Sequence, residues 1–406
     1  MRKPTVVTVV ALALGLVGCT QEKGGASPSA RGSTTAPGTQ PSATATSKAQ
    51  PALSGAQFDK RMTVTGVAPG GHHRSVLDVT ADGALVVAEN PAPAMEGDQV
   101  RIGQSRVGLQ SASGFRAFPR PTEPCGNRPR QADQADARSG SVAWNETSST
   151  NLYESDWCVF FYDPTANTTR LLGSSASVGA KLPPPPGQTV PTMGRSDVFW
   201  ATTHPTRDER KFGVKIVSRP KSGEGKVADA VTKAKLPKAD GGTLYYVRSE
   251  DVAPGFPKNR YEIRKIDETG HDALVTAGSL TTDQQVSVLA VSGPRITWVV
   301  SNPHQERAKL YSLAQPGGKT ISFGLSHPGA PTMALSVTPK LIAWGSGTSA
   351  GDGGEYVFDI AKQKLWRVDS QEGYSAVYAK GDFIAWSKIP AAHPEGAVSF
   401  HTARWK

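Results

Sequence analysis

The stretch "LIAWGSG" at residues 341–347 returns almost unchanged, 42 residues later, as "FIAWSK" at residues 383–388. Each copy places a tryptophan directly after two large apolar residues and an alanine. Short runs of aromatic and β-branched residues bounded by glycine, proline or aspartate are typical of β-strands. The recurrence therefore predicts an internal repeat whose unit contains such a strand.

Five further copies of this strand lie upstream, each with an aromatic or apolar residue in the place of the tryptophan. The spacings between successive anchors run from 42 to 57 residues, and the seven anchors are Val87, Trp144, Trp200, Tyr246, Trp298, Trp344 and Trp386. Downstream of several anchors, an apolar strand ends at an aspartate (Asp163, Asp267 or Asp359), and a polar turn and another apolar strand follow. A weaker strand precedes the anchors, so the repeat unit has four strands.

Four antiparallel strands repeated at this spacing are the signature of a β-propeller, and seven anchors predict about seven blades. The "W…YD…t.k…l" pattern, which covers nearly all of residues 58–406, resembles the repeats of TolB-like and WD-repeat-like propellers. The resemblance implies an all-β fold and says almost nothing about function, because this fold hosts many unrelated activities.

The two ends of the repeat region predict how the ring closes. The last copy has no room for a fourth strand before residue 406, whereas a strand-like run at residues 60–67 precedes the first copy. We expect residues 60–67 to pair with residues 398–401, because this pairing removes an open sheet edge.

The first residues of the chain have the features of a secretion signal. Arg2 and Lys3 precede an uncharged, mostly apolar run at residues 5–18, which ends in "LVGC". This ending resembles the lipobox of bacterial lipoproteins. The resemblance implies that residues 1–18 are removed and that Cys19 carries lipid, such as palmitate, which anchors the protein to the outer face of the cell membrane. The alternative is an ordinary secreted protein with a chance cysteine.

The segment from residue 19 to residue 55 is predicted to be a disordered tether, because small and polar residues dominate it and it has no aromatic residue. The propeller then occupies residues 56–406. The chain carries a net charge of +10, which falls to about +8 without the signal peptide. Outside a membrane, this charge favours anionic glycans, wall polymers or acidic surface proteins as neighbours over nucleic acid. The alternative is that the charge only keeps the protein soluble. We expect the protein to be a monomer.

Cys125 and Cys158 are the remaining cysteines, and a lone pair in an oxidising compartment is usually a bridge. The predicted strand order also places both on one face of one blade, so the sequence predicts a disulfide between them.

Long loops gather on the face where each second strand leads to the third, and function usually sits on such loops. One of them, "FRAFPRPTEPCGNRPR", holds four arginines that are candidates for binding an anionic glycan or an acidic protein loop: Arg116, Arg120, Arg128 and Arg130. The alternative is a solvated loop held by Cys125.

Catalytic and metal-binding motifs are missing from the sequence. It has neither a G-x-S-x-G nucleophile elbow nor a sialidase-type Asp-box. The loop histidines (His72, His73, His204, His304 and His393) are interpreted as solvated rather than as metal ligands, and no cofactor is predicted. The sequence therefore favours a non-catalytic binding or assembly module at the cell surface. The alternative is a propeller enzyme that acts on cell-wall or extracellular glycans, which three carboxylates converging on the central channel would favour.

Overall fold

The structure is a computed structural model. It describes residues 43–45, 57–91, 94–96, 99–121, 123, 125–149, 156–178, 189–205, 212–302, 308–315, 317–325, 335–346, 354–368, 376–388 and 399–406.

Seven four-stranded antiparallel sheets form the blades of a propeller, which confirms the predicted fold. Two strands precede the first blade: β1 (Ala43–Ala45) and β2 (Phe58–Thr65). The first blade consists of β3 (His73–Val79), β4 (Leu85–Asn90), an inserted hairpin of β5 (Ala94–Glu96) and β6 (Gln99–Arg101), β7 (Arg106–Ser111) and β8 (Gly114–Ala117).

The next three blades follow the same plan. Blade 2 contains β9 (Gln131–Arg138), β10 (Ser141–Thr147), β11 (Trp157–Asp163) and β12 (Thr168–Ser174). Blade 3 contains β13 (Thr192–Met193), β14 (Asp197–Pro205), β15 (Phe212–Pro220) and β16 (Ala228–Thr232). Blade 4 contains β17 (Lys235–Asp240), β18 (Thr243–Ser249), β19 (Arg260–Ile266) and β20 (Asp272–Ser279).

The last three blades complete the ring. Blade 5 contains β21 (Gln285–Ser292), β22 (Arg295–Ser301), β23 (Ala308–Ala314) and β24 (Thr320–Leu325). Blade 6 contains β25 (Leu335–Val337), β26 (Leu341–Ser346), β27 (Gly354–Asp359) and β28 (Lys364–Arg367). Blade 7 contains β29 (Val377–Lys380), β30 (Phe383–Lys388), β31 (Ser399–Trp405) and, as its fourth strand, β2.

The helical segments of the described residues are two 3₁₀ turns, Pro69–Gly71 and Ser175–Val178. None of the helices in these ranges is long and apolar enough to cross a membrane.

The ring closes as the sequence predicts. β2 pairs antiparallel with β31, with Thr63 opposite His401 and Thr65 opposite Ser399. The N-terminal strand thereby supplies the outer strand of the last blade, and the pairing extends further along β31 than the predicted residues 398–401.

Each of the seven anchors lies in the second strand of its blade and is buried. Trp200 shows what they do: it packs in one cluster with Val198 of its own blade and with Trp157 and Phe161 of blade 2. A Cβ on Gly173 of blade 2 would lie 2.6 Å from the Trp200 ring, so only glycine leaves room there. The repeated tryptophan thus fills the gap between adjoining blades.

The aspartates that end the third strands cap the following turns. Asp163 accepts a hydrogen bond from the backbone N–H of Thr165 (2.9 Å), and Asp267 accepts one from Thr269 (2.9 Å). Such bonds satisfy backbone donors that the tight turn would otherwise leave without a partner.

A short strand lies within the predicted tether. Residues 43–45 pair in parallel with β24 at residues 320–322, on the outer edge of blade 5. The signal peptide, Cys19 and the rest of the tether up to residue 55 lie outside the described residues, as does residue 56.

Candidate functional site

Side chains from three blades meet around one ammonium group on the inner strands of the ring. Lys380, the last residue of β29, forms ion pairs with Asp78 of blade 1 and with Asp136 of blade 2, the latter at 3.2 Å. It also donates a hydrogen bond to the backbone carbonyl of Ala137 at 2.7 Å. We call Asp78, Asp133, Asp136, Tyr378 and Lys380 the channel cluster.

The topology explains why these residues meet. The first strands of adjoining blades contact one another, so they form the wall of the central channel. All of them run in the same direction, and their last residues therefore reach the same end of the channel. This end carries the short turns after the first and third strands. Lys380, Asp78 and Asp136 thus lie toward the face opposite the long loops. Asp133, the third residue of β9, lies nearer the long-loop face, on which the sequence predicted function.

Polar side chains at this end also bind the neighbouring blade. The Asp78 carboxylate accepts a hydrogen bond from the backbone N–H of Ala137, and Asp136 accepts one from Met193, each at 2.8 Å. The next two blade pairs have equivalent bonds, from Ala239 N–H to Thr192 Oγ1 (3.0 Å) and from Gly293 N–H to Asp240 Oδ2 (2.7 Å). These bonds fix how successive inner strands are placed around the ring.

The charges around Asp136 keep it ionised. Burial opposes its ionisation, but the positive charges of Lys380 and Arg138 outweigh burial and hold the pKa of Asp136 well below its usual range. Burial likewise opposes the charge on Lys380, and Asp78 and Asp136 outweigh it and raise the Lys380 pKa. The two groups therefore stay charged at neutral pH.

The pKa of Asp133 is shifted in the opposite direction to that of Asp136. Burial by the surrounding channel wall raises the pKa of its carboxyl, and a hydrogen bond from Asn145 offsets only part of this effect. Its side chain remains exposed to solvent. Burial, together with the charges of Asp78 and Asp133, raises the pKa of the Tyr378 phenol. Asp133 is thus a carboxyl that solvent can reach and whose pKa is raised.

A β-bulge sets the position of Asp133. In blade 2, Gln134 is opposite Asn145 and Ala132 is opposite Glu146, so Asp133 is the extra residue. Bulges re-aim a side chain and are common next to active sites. Asn145 is fully buried, and its Oδ1 accepts a hydrogen bond from the Gln134 N–H at 3.0 Å, so the partner of Asp133 is itself held in place.

A second carboxyl with a raised pKa lies close by in sequence. Burial raises the pKa of Glu146, despite hydrogen bonds from Trp144 Nε1 and Gln104 Nε2, both at 3.0 Å. Both oxygens of Glu146 therefore have a partner, and the residue is buried. We assign Glu146 a structural role and Asp133 the chemically accessible one.

The disulfide between Cys125 and Cys158 is confirmed, with Cα atoms 6.3 Å apart. Of the four candidate arginines, Arg116, Arg120 and Arg128 are exposed. Their binding role stays a prediction.

Arg130 differs from the predicted surface patch because it is buried. Its guanidinium group forms an ion pair with Asp156 at 2.8 Å and donates from Nε to Cys158 Sγ at 3.0 Å. It also donates to the backbone carbonyl of Arg128 at 2.9 Å. Arg130 therefore supports the disulfide-linked loop and does not present its charge to a ligand.

The loop histidines form no site in the described part of the chain. Across the described ranges, no three His, Cys, Asp or Glu side chains are grouped so as to hold a metal ion. His304 and His393 lie outside those ranges, as does the side chain of His204.

The residues of the channel cluster were missed from the sequence, although a signal was present. Asp136 stands eight residues before the Trp144 anchor, where other repeats have Thr192, Ala290 or Ser336. Lys380 stands six residues before Trp386. At the position eight residues before the anchor, blade 4 has Lys238 and blade 7 has Tyr378, so large polar side chains on several inner strands mark the channel.

No family model matches the sequence, and no curated protein matches it. Among solved structures, a prolyl endopeptidase matches with a TM-score of 0.50 and 10% identity, over 78% of this chain and 46% of that one. An oligogalacturonate lyase in complex with manganese matches with a TM-score of 0.49 and 11% identity, over 86% and 98%. The β-propeller domain of the Trilobed protease from Pyrococcus furiosus matches with a TM-score of 0.49 and 9% identity, over 79% and 92%.

These identities establish the propeller fold alone. This chain spans about half the length of the prolyl endopeptidase. The sequence-based prediction that the protein is not an enzyme is contradicted, because a propeller that it matches belongs to a prolyl endopeptidase.

Proposed function

We propose that this protein is a propeller enzyme that acts on anionic glycans of the cell wall or the extracellular space. The observation that carries the proposal is the pair of aspartates on β9: Asp133 has a raised pKa and Asp136 a lowered one. Two carboxyl groups whose surroundings push their pKa values apart are a common mark of an acid and its ionised partner.

The chemistry of glycoside cleavage fits this pair. A carboxylic acid donates a proton to the leaving oxygen as the glycosidic bond breaks, and a second, ionised carboxylate stabilises the positive charge that develops on the sugar. A water molecule from the solvent then adds to the sugar carbon and returns a proton to the first carboxylate. Asp133 is exposed to the channel and holds its proton to higher pH than an ordinary aspartate, so it takes the role of acid. Asp136 supplies the negative charge.

Two cationic side chains of the channel support the choice of an anionic substrate. Lys380 keeps its charge, and it has 24% of its side chain exposed. Lys238 also lies near Asp136, and burial lowers its pKa. Positive groups in an enclosed channel attract anions more strongly than the same groups on an open surface.

The proposal is tested with the purified full chain and an anionic cell-wall polymer, by measuring the release of new reducing ends. Asp133→Asn should lower the rate by at least about 100-fold, the usual contribution of a general acid, while polymer binding is retained. Glu224→Gln, at an exposed carboxylate in a turn of blade 3, is the matched control and should leave the rate unchanged. Equal rates for the wild type and Asp133→Asn would refute the assignment.

We also propose that a lipid on Cys19 holds the enzyme at the outer face of the cell membrane. The support is the lipobox-like "LVGC" after a basic and then apolar start. A tethered propeller meets wall polymers at a raised effective concentration without any new contact.

A further inference from the structure

A cavity of about 330 Å³ lies at the junction of blades 3 and 4, away from the channel cluster. One wall comes from the end of blade 3 (Thr232 and Lys233), one from β18 (Arg248), and the third from the loop that follows β18, at residues 253–257. This volume is at the lower end of the range for small-molecule sites. The proposed function makes no use of these residues.

The loop that forms the third wall is held in a fixed shape. The backbone N–H of Ala253 donates to the carbonyl of Ser249 at 3.0 Å, and that of Phe256 donates to the carbonyl of Ala253 at 2.8 Å. Val252 and Ala253 are buried and anchor the loop in the blade. Gly255 has φ +88°, a conformation that other residues adopt at a cost, so the turn that presents Phe256 is built for glycine.

Arg248 places an incompletely satisfied cation in this cavity. Its Nε is buried and has no hydrogen-bond partner among the described residues. Its guanidinium carbon lies 5.5 Å from the centre of the Tyr246 ring, which orients the group. The terminal nitrogens of a guanidinium group can bind both oxygens of a carboxylate at once, so an oxyanion with two acceptor atoms is the ligand that fits it best.

Nearby carboxylates offset only part of this charge, because Asp272 interacts electrostatically with Arg248 but is shared with Arg264. The two acids on the neighbouring strands, Glu262 and Asp272, both bind Arg264, each at 3.0 Å. Lys233, which is exposed at the rim, adds a second positive charge to the cavity wall. The cavity therefore has a net positive lining on one side.

Much of the remaining lining is apolar. This apolar part consists of Phe256, which is half-buried, flanked by Pro254 and Pro257. A ring or other flat apolar group stacks on such a surface. The cation and the apolar surface together define two parts of a ligand, an anionic head and a flat body.

We propose that this cavity binds the carboxylate of a small ligand with a ring-shaped or flat apolar body, with Arg248 and Lys233 on the carboxylate and Phe256 on the body. Such a carboxylate occurs in a free aromatic acid and at the C-terminus of a peptide, and the chemistry of recognition is the same.

Calorimetric titration of the purified full chain tests the proposal with defined probes. Benzoate represents the free acid, and N-acetylphenylalanine represents the peptide end. Each should bind saturably, and their neutral amides, benzamide and N-acetylphenylalaninamide, should bind at least tenfold more weakly. The acid that binds with the lower Kd shows whether the cavity prefers a free aromatic acid or the C-terminus of a peptide. Inorganic phosphate lacks the apolar body and should bind more weakly than either.

Variants assign the binding to this cavity. Arg248→Gln should weaken the acid probes at least tenfold, and Arg248→Lys should lose affinity too, because lysine lacks the two-pronged fork. Lys258→Gln removes a positive charge from the same loop without lining the cavity and should leave affinity unchanged. If Arg248→Gln does not fold, Phe256→Ala takes its place and should weaken the acids at least severalfold. Absence of saturable binding by both acids, or equal loss with Lys258→Gln, overturns the proposal.

Discussion

The ammonium group of Lys380 in blade 7 lies 3.2 Å from the carboxylate of Asp136 in blade 2, so one ion pair spans the whole of blade 1. Blade 7 is also the blade that the N-terminal strand closes. The ion pair therefore links blade 7 to blade 2 on the inside of the ring, and the pairing of β2 with β31 completes blade 7 on the outside.

Replacing Lys380 with methionine should lower the free energy of unfolding by about 3 kcal/mol, because two carboxylates then remain largely buried without their cation. Urea denaturation followed by tryptophan fluorescence measures the change. The matched control is Lys340→Met, whose ion pair with Asp382 (2.7 Å) is on the surface with 62% of the lysine side chain exposed. This control should cost less than about 1 kcal/mol. Equal losses in the free energy of unfolding would show that the inner ion pair contributes no more to stability than the surface ion pair.

Acid should remove the contribution of Asp136. Its pKa is lower in the folded chain than in the unfolded chain, so its stabilising effect is complete above the ordinary aspartate pKa of 3.8 and is lost as the pH falls below that value. The wild type should therefore be more stable than Asp136→Asn at pH 7, and the difference should shrink on acidification. Thermal unfolding of both proteins between pH 7 and pH 2 measures it. A difference that is the same at every pH would contradict this origin.

Removing the disulfide should destabilise the propeller. Cys125 and Cys158 are 33 residues apart, and the chain-entropy model gives about 3–4 kcal/mol for a loop of this length. The double variant Cys125→Ser/Cys158→Ser should unfold at correspondingly lower urea concentration than the wild type. Peptide mapping without reductant should recover the linked peptides, and two freely alkylated thiols in the native protein would count against the bridge.

Deleting residues 57–67 should unfold the whole ring cooperatively, because blade 7 would lose its fourth strand and both closing edges would be exposed. Deleting residues 20–42, which precede β1, should leave the melting temperature unchanged. Differential scanning calorimetry compares the two. If deleting residues 57–67 leaves the melting temperature as unchanged as deleting residues 20–42, the pairing of β2 with β31 is not needed for stability.

Cys19→Ala should move the protein from the membrane fraction to the soluble fraction, because the cysteine thiol is the proposed site of lipid attachment. Intact-mass analysis of the wild type should show a chain that starts at residue 19 and carries acyl groups. A Cys19→Ala protein that stays in the membrane fraction would show that another element holds it there.

Several structural features were predictable because their causes are local or repeated in the chain. The spacing of anchors such as Trp344 and Trp386 predicted the blades, because each gap between blades needs the same large side chain on the second strand. The turn-capping role of Asp163 also followed from the sequence, because an aspartate and the turn that it caps are only a few residues apart.

The chemistry of the ring was decided by the tertiary structure. Lys380 and Asp136 are 244 residues apart, and only closure of the seven blades brings both to the same end of the channel. The ionisation of Asp133 depends on a bulge in β9 and on the channel wall around it, and neither is visible in a list of residues. Arg130 was predicted to face a ligand and instead lies buried against the disulfide, because burial depends on which chain segments cover a side chain. Strand pattern and spacing are thus written locally in the sequence, whereas burial and charge pairing arise from contacts between distant residues, which is why the fold was predicted and the candidate active site was not.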